Sequence, residues 1–483
     1  MLAVFTGRLL PGLSKFEEVG MKLSRWQFAL VVLILGTAQA GSAAAKNFYL
    51  HDGQRVLFYG DSITEQRYYP VAIETYVRTR FPNLKVKFVD SAVGGARVTG
   101  NWAVSSENES LERDVFPFKP DVITIMLGMN DASYRPFDQS IFDTYVKGYR
   151  YIIQQMQSHL PGVKIVLIEP SPWDDVTQTP SYPSNPDNKP GGYNSTLLHY
   201  CKFVRELAAE HHLMVVDFNT PMVKLMEEAQ KIDPSLAAKI IPGRVHPGAS
   251  GELAMAQVLL KAWNAPATVT RVAINASGKV EDSANTEVSG LMASGQNITW
   301  TQTDKALPYP VMTLHTTKWP QFPPDPFGNH GPEIFWKLPP LEGTEINPLA
   351  QLVARLTHMY ENLDSETLKV AGLAAAKYAL KIDGSTVGTF SKAQLAEGIN
   401  LARYDTPMMQ QANKVLTLVW HRVDVRFYGW SGIQVPLRID PVPDTTQSIN
   451  QMLANLEQWQ NTLVDEAHAA AQPKPHHYEL VAQ

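Results

Sequence analysis

The sequence predicts an α/β protein. It reads as a three-layer α/β/α sandwich around a five-stranded parallel sheet, followed by an extension that is first β-rich and then α-helical. Three observations carry this. Between Arg55 and Asn264, five short runs that are apolar on both faces alternate with amphipathic helical patterns, as buried parallel strands joined by helices do. After Pro266 the composition turns to Thr, Val, Ser and Asn with closely spaced turn residues, which reads as antiparallel strands. From Pro407 onward the apolar period is helical again.

Taken in order, the chain first reads as an address. From Met21 it runs MKLSRWQFALVVLILGTAQAGSAAAKNF, with Lys22 and Arg25 as a charged n-region. Phe28 to Leu35 form an apolar stretch too short to span a bilayer, and Ala38-Gln39-Ala40 suits small-residue cleavage. Residues 21–45 are therefore expected to be a secretory signal peptide, with Met21 as the true start and residues 1–20 a mis-assigned leader. A secreted or periplasmic destination follows, with no membrane span once the signal is removed.

Residues 46–265 form the expected α/β domain. Its strands are RVLFYG, VKFVDSAV, DVITIML, VKIVLIE and LMVVDF; its helices lie near EQRYYPVAIETYVRTR, DTYVKGYRYIIQQMQSHL and TLLHYCKFVRELAAEHH. Residues 266–400 read as β-rich with Pro-rich connections from Leu307 to Pro340, and with a hairpin at YALKIDGSTVGTF turning on Asp383-Gly384. Residues 401–472 read as helical, from Pro407 to Phe427 and from Thr445 to Ala471. The tail, 473–483 (PKPHHYELVAQ), reads as disordered.

Composition excludes several classes. The formal charge of −5 has both signs interspersed and no basic stripe, which speaks against nucleic acid as a partner. The single cysteine, Cys201, rules out an internal disulfide framework and a multi-Cys zinc site, and its helical setting reads as a buried small hydrophobe. His211-His212 and His476-His477 lack metal-ligand spacing with partners, so neither a metal nor a cofactor is expected.

The strand ends carry the chemistry. The first strand leads into GDSITEQ, which places Ser62 at a strand-to-helix turn, where backbone N–H groups meet positive potential. Serine is also a common N-cap, so position alone does not decide its role. The second strand ends in AVGGA, where Gly94 and Gly95 admit close backbone approach. The third ends in GMND, where the Asn130 side chain is a suitable oxyanion donor or an ordinary turn residue. His246 follows the last strand, in a loop pinned by the helix whose core face is Leu253, Ala256, Leu260 and Trp263.

These four blocks, GDSI, AVGGA, GMND and VHPG, resemble in order and placement those of the SGNH hydrolases, also called GDSL esterases and lipases. The resemblance spans about Arg55 to Asn264 and looks like the secreted bacterial type with a C-terminal extension. It implies a flavodoxin-like sheet and a carboxylic ester hydrolase without metal or cofactor. It assigns Ser62 as nucleophile, His246 as general base, and Ser62, Gly95 and Asn130 as oxyanion hole.

One departure stands out. The family usually carries an aspartate three residues before the histidine; that position is Gly243 here. Three readings remain. A Ser62–His246 pair works with a backbone carbonyl near Pro242 or Gly243 holding the imidazole. Another carboxylate substitutes, with Asp61, Glu169 and Asp217 as candidates. Or the centre is impaired and the protein only binds, as a carbohydrate-binding or cell-surface interaction protein. Aromatic residues in the site loops, Trp102, Tyr134, Trp173, Tyr182 and Tyr193, suit sugar stacking or simple loop packing. The long loop between the fourth strand and the next helix is of a length usually tied to function. The expected substrates are short-chain acyl esters, acetyl first, on small molecules or carbohydrates.

Overall fold

The structure is a computed structural model that describes residues 48–104, 106–184, 191–311, 348–435, 437 and 446–483. The expected signal peptide and most of the Pro-rich stretch from Leu307 to Pro340 lie outside these residues.

The five apolar runs are strands: β1 (Arg55–Gly60), β2 (Lys87–Asp90), β3 (Val122–Met126), β4 (Lys164–Ile168) and β5 (Met214–Val216). They form one sheet in the order β2-β1-β3-β4-β5, with every neighbouring pair parallel. All five residues of β3 are buried, which explains why the strands read as unbroken apolar runs rather than alternating ones. The chain leaves β1 toward β2 on one side and reaches β3 on the other. The loops after β1, β2 and β3 therefore meet at the reversal point of the sheet, where ligands bind in open α/β folds.

The helices are α1 (Ser62–Glu65), α2 (Tyr68–Arg80), α3 (Glu107–Asp114), α4 (Gln139–His159), α5 (Gly192–His211), α6 (Asn219–Ile232) and α7 (Ala249–Ala262). α4 buries Tyr145, Tyr149, Ile152, Ile153 and Met156, one stripe at helical spacing. The Asp138 side chain caps it by accepting from the N–H groups of Ser140 and Ile141. The sequence suggests one helix from Glu65 to Arg80. The structure breaks it at Arg67, whose left-handed φ of 71° separates the single turn carrying Ser62 from α2.

Beyond the α/β domain, β6 (Thr268–Asn275), β7 (Lys279–Ala284), β8 (Thr286–Ser294) and β9 (Asn297–Asp304) are the expected antiparallel strands. After α8 (Pro348–Leu356) come β10 (Ser365–Ala371), β11 (Lys377–Ile382), β12 (Ser385–Ser391) and β13 (Ile399–Asn400). The β11–β12 hairpin turns on Asp383 and Gly384, both at positive φ (51° and 80°), as its Asp-Gly sequence requires. Two long helices follow, α9 (Pro407–Tyr428) and α10 (Thr446–Ala471).

Two expectations for the extension are corrected. The tail is ordered: Pro475–Ala482 form β14, which lies between β11 and β9 in a sheet of order β12-β11-β14-β9-β8. Tyr478 and Leu480 alternate inward into a core shared with Ile298, Trp300, Leu368 and Val370, and Tyr478 stacks on Trp300 at 4.9 Å. Burial of these side chains stabilises a segment that looked too polar to pack. Tyr478→Ala is expected to cost about 3 kcal/mol or more, read as a lowered thermal midpoint. Second, the boundary at residue 265 does not bound the packing. Tyr309, Val311, Leu352, Tyr360 and Trp430 belong to the core of the α/β domain, because helices from the extension cover it with their apolar faces. No described helix is long and apolar enough to cross a membrane.

Candidate active site

Ser62 opens α1 directly after β1. Asp61 is the N-cap of that turn, its Oδ1 accepting from the Ile63 N–H at 3.0 Å. This role accounts for an aspartate ahead of the serine. Burial pushes the Asp61 carboxyl up to about 7, against the pull of the Ile63 N–H.

Across the site, Nε2 of His246 lies 2.8 Å from Oγ of Ser62. That is hydrogen-bond distance for a nucleophile and its base. The histidine loop is held from three sides. Gly248 N–H donates to Ile240 O at 3.0 Å and Asp174 N–H donates to Arg244 O at 3.0 Å. The third anchor is a buried carboxylate on α7. Glu252 accepts from Gln66 Nε2 at 3.0 Å and from the Tyr69 N–H at 2.8 Å, and Gln66 also reaches Pro247 O at 3.4 Å. Glu252 thus ties the histidine loop to the chain just past Ser62. Its burial raises the carboxyl well above the usual range. Sequence reading passed over both Gln66 and Glu252. The available signal was a carboxylate inside the mostly apolar stretch SGELAMAQVLL.

The glycine turn packs against the turn that carries Ser62. A Cβ on Gly94 would stand 2.8 Å from Glu65 Oε2 and 3.9 Å from the Ser62 Cβ. Gly95 sits at φ 70°, which favours glycine. Burial raises the Glu65 carboxyl to about 7, and the Gly94 N–H is first among the groups that pull it back.

Asn130 sits in the turn after β3. Its Oδ1 accepts from the Tyr134 hydroxyl at 2.8 Å and its Nδ2 donates to Ala96 O at 3.1 Å. The hydroxyl fixes which way the amide faces, and the NH₂ keeps a second donor. Ser133 and Tyr134 both take left-handed conformations, φ 57° and 55°. Two hydrogen bonds to Tyr134 O, from Ser184 N–H at 3.0 Å and Ser184 Oγ at 2.6 Å, hold them there. Backbone strain of this kind collects at functional sites. Asp131 accepts from the Val98 N–H at 2.9 Å and so joins the asparagine turn to the glycine turn.

The other candidates divide. The contacts of Glu169 fall on Arg205, and Asp217 accepts from the Thr220 N–H at 2.9 Å. Gly243 lies exposed at φ 69°, with open space where a Cβ would stand. Trp102 is exposed (64%) in the loop after the glycine turn. Placing Trp173 and Tyr193 against substrate is corrected: both are buried, Tyr193 fully. Tyr193 donates to Met129 O at 2.6 Å, and its ring stacks on Tyr134 at 5.1 Å. These rings pack the loop beneath Asn130, and Tyr134 serves it as a support. Cys201 is buried, as expected of a core residue.

The fold and the ordered blocks at its strand ends define an α/β domain of the SGNH type. Residues 58–254 match the GDSL-like lipase/acylhydrolase family. An acetylxylan esterase of Geobacillus stearothermophilus is 23% identical over 231 residues, covering 43% of this chain and 93% of that protein. The structure of a gut microbial diltiazem-metabolizing enzyme superposes with a TM-score of 0.72 at 25% identity, covering 90% of this chain and 98% of that one. That likeness takes in the extension as well as the α/β domain.

Proposed function

We propose that the protein is an exported serine esterase that removes short acyl groups, acetyl first, from carbohydrate or small-molecule alcohols. The observation that carries this is the 2.8 Å contact between Ser62 and His246, residues brought together from opposite ends of the domain. In the reaction, Ser62 Oγ attacks the ester carbonyl carbon as its proton passes to His246 Nε2. The N–H groups of Ser62 and Gly95 and the Asn130 amide stabilise the resulting oxyanion. Collapse expels the alcohol, which takes the proton from His246. Water, activated by the same imidazole, then releases the carboxylic acid and restores Ser62.

The acetyl preference is supported by the acetylxylan esterase among the relatives and by the exposed Trp102 beside the glycine turn, a surface for a sugar ring. Export is supported by the leader at residues 21–45. A panel of an aryl acetate, acetylated xylan, diltiazem and longer acyl esters tests the reading. Hydrolysis limited to long acyl chains would remove the acetyl assignment. No turnover at all, with retention on a glycan, would favour a binding protein.

In this reading the Ser62–His246 pair works without an aspartate at position 243. Gly243→Asp is therefore expected to give no gain in kcat. The new side chain enters open space, and the left-handed backbone costs about 1 kcal/mol of stability. A large gain in rate would instead identify an impaired centre.

A further inference from the structure

The C-terminal helix α9 grips the α/β domain at the two turns that build the site. Its Asp424 pairs with Arg67 at 2.8 Å, the left-handed residue that separates α1 from α2, and Phe427 packs under that guanidinium at 4.4 Å. One face along, Arg426 donates from Nε to Asp90 O at 2.9 Å and from Nη2 to Ser91 Oγ at 3.2 Å. These atoms lie at the end of β2, where the chain enters the glycine turn. Ser91 N–H and Val93 N–H are meanwhile held by Phe58 O and Gly60 O of β1. Glu65, Asp90, Arg67, Arg426, Phe427 and Trp430 line one small cavity of about 20 Å³. The nucleophile turn, the glycine turn and α9 therefore share a single wall. Arg422, one turn back, donates to Phe88 O at 3.1 Å and pairs with Glu74, so it holds the strand rather than the turn.

We propose that α9 is a positioning element of the hydrolytic centre, with Arg426 as the residue that sets the glycine turn carrying the Gly94 and Gly95 N–H groups. The proposal rests on the esterase reading. It gives the extension a task in catalysis: the oxyanion hole is aimed from outside the α/β domain. A shift of the turn by a fraction of an ångström weakens stabilisation of the tetrahedral species more than it weakens ester binding.

The test compares Arg426→Gln and Arg426→Lys with Arg422→Gln in the full chain, using an aryl acetate. Arg426→Gln is expected to lower kcat about 10- to 100-fold while KM moves by less than about threefold. Arg426→Lys keeps the charge but loses the fork, and recovers part of the rate. Arg422→Gln lowers the thermal midpoint at least as far and leaves kcat near wild type. Hydrogen exchange supplies a readout independent of turnover: amides of residues 91–96 exchange faster in Arg426→Gln than in Arg422→Gln. A folded Arg426→Gln with wild-type kcat and unchanged exchange at 91–96 overturns the proposal alone. Equal kcat losses in the two glutamine variants, tracking stability, overturn it as well. A wild type without esterase activity removes both this proposal and the reading it rests on.

Discussion

Ser62→Ala is expected to lower kcat on an aryl acetate by about 10⁵-fold, with the thermal midpoint near wild type. That loss corresponds to about 7 kcal/mol of barrier. Ser62 Oγ lies 2.8 Å from Nε2 of His246, and removing it leaves the imidazole nothing to activate but water. The backbone of α1 does not depend on the hydroxyl, because Asp61 supplies the cap. His246→Ala should fall nearly as far, and the double variant little further, because nucleophile and base act as a unit. Residual activity would reflect the oxyanion donors alone. A Ser62→Ala protein that keeps the wild-type rate would end the serine esterase reading.

Asn130→Ala should lower kcat by about 10²- to 10³-fold with a small change in KM, as expected of a donor that engages the oxyanion rather than the ester. Two further variants separate donation from scaffolding. Tyr134→Phe removes the hydroxyl that orients the amide but leaves the ring on Tyr193, so its loss should be a small part of the Asn130→Ala loss. Asn130→Asp keeps the acceptor for Tyr134 and removes the NH₂, and should resemble Asn130→Ala. If Asn130→Asp retains near-wild-type kcat, the side-chain donor is not part of the oxyanion hole.

Much of the α/β domain was legible because each buried parallel strand is apolar on both faces, and because turn chemistry is local. Ser62, Gly95, Asn130 and His246 could be placed at one sheet edge from strand ends alone. The supports could not. Glu252 is wholly buried and works through partners some 180 residues away in Gln66 and Tyr69; no local period announces such a contact. Tyr193 and Trp173 read equally as sugar platforms or as packing, because aromatic residues in sequence carry no sign of which way they face. β14 was missed for a related reason. His476, Tyr478 and Leu480 do alternate, but the two strands that bury them lie far upstream, and Pro and His weaken the pattern. Arg67, the left-handed residue that breaks the first long helix, sends its guanidinium to Asp424 of α9, a contact that is tertiary and not local.

The position of β14 also bears on how the chain reaches its native state. Tyr478 is opposite Trp300 on one side and Ile382 on the other, and β10 pairs in parallel with β6 although β7, β8, β9 and α8 lie between them in the chain. Such contacts require long loops to close before any burial rewards them. The β8–β9 and β11–β12 hairpins form locally, but the sheet they share closes only when β14 slots between them. The extension should then be the slow step of refolding, with Trp300 emission reporting its closure. The same topology resists opening: freeing β14 breaks two ladders at once, so the native sheet should be long-lived even where its equilibrium stability is modest.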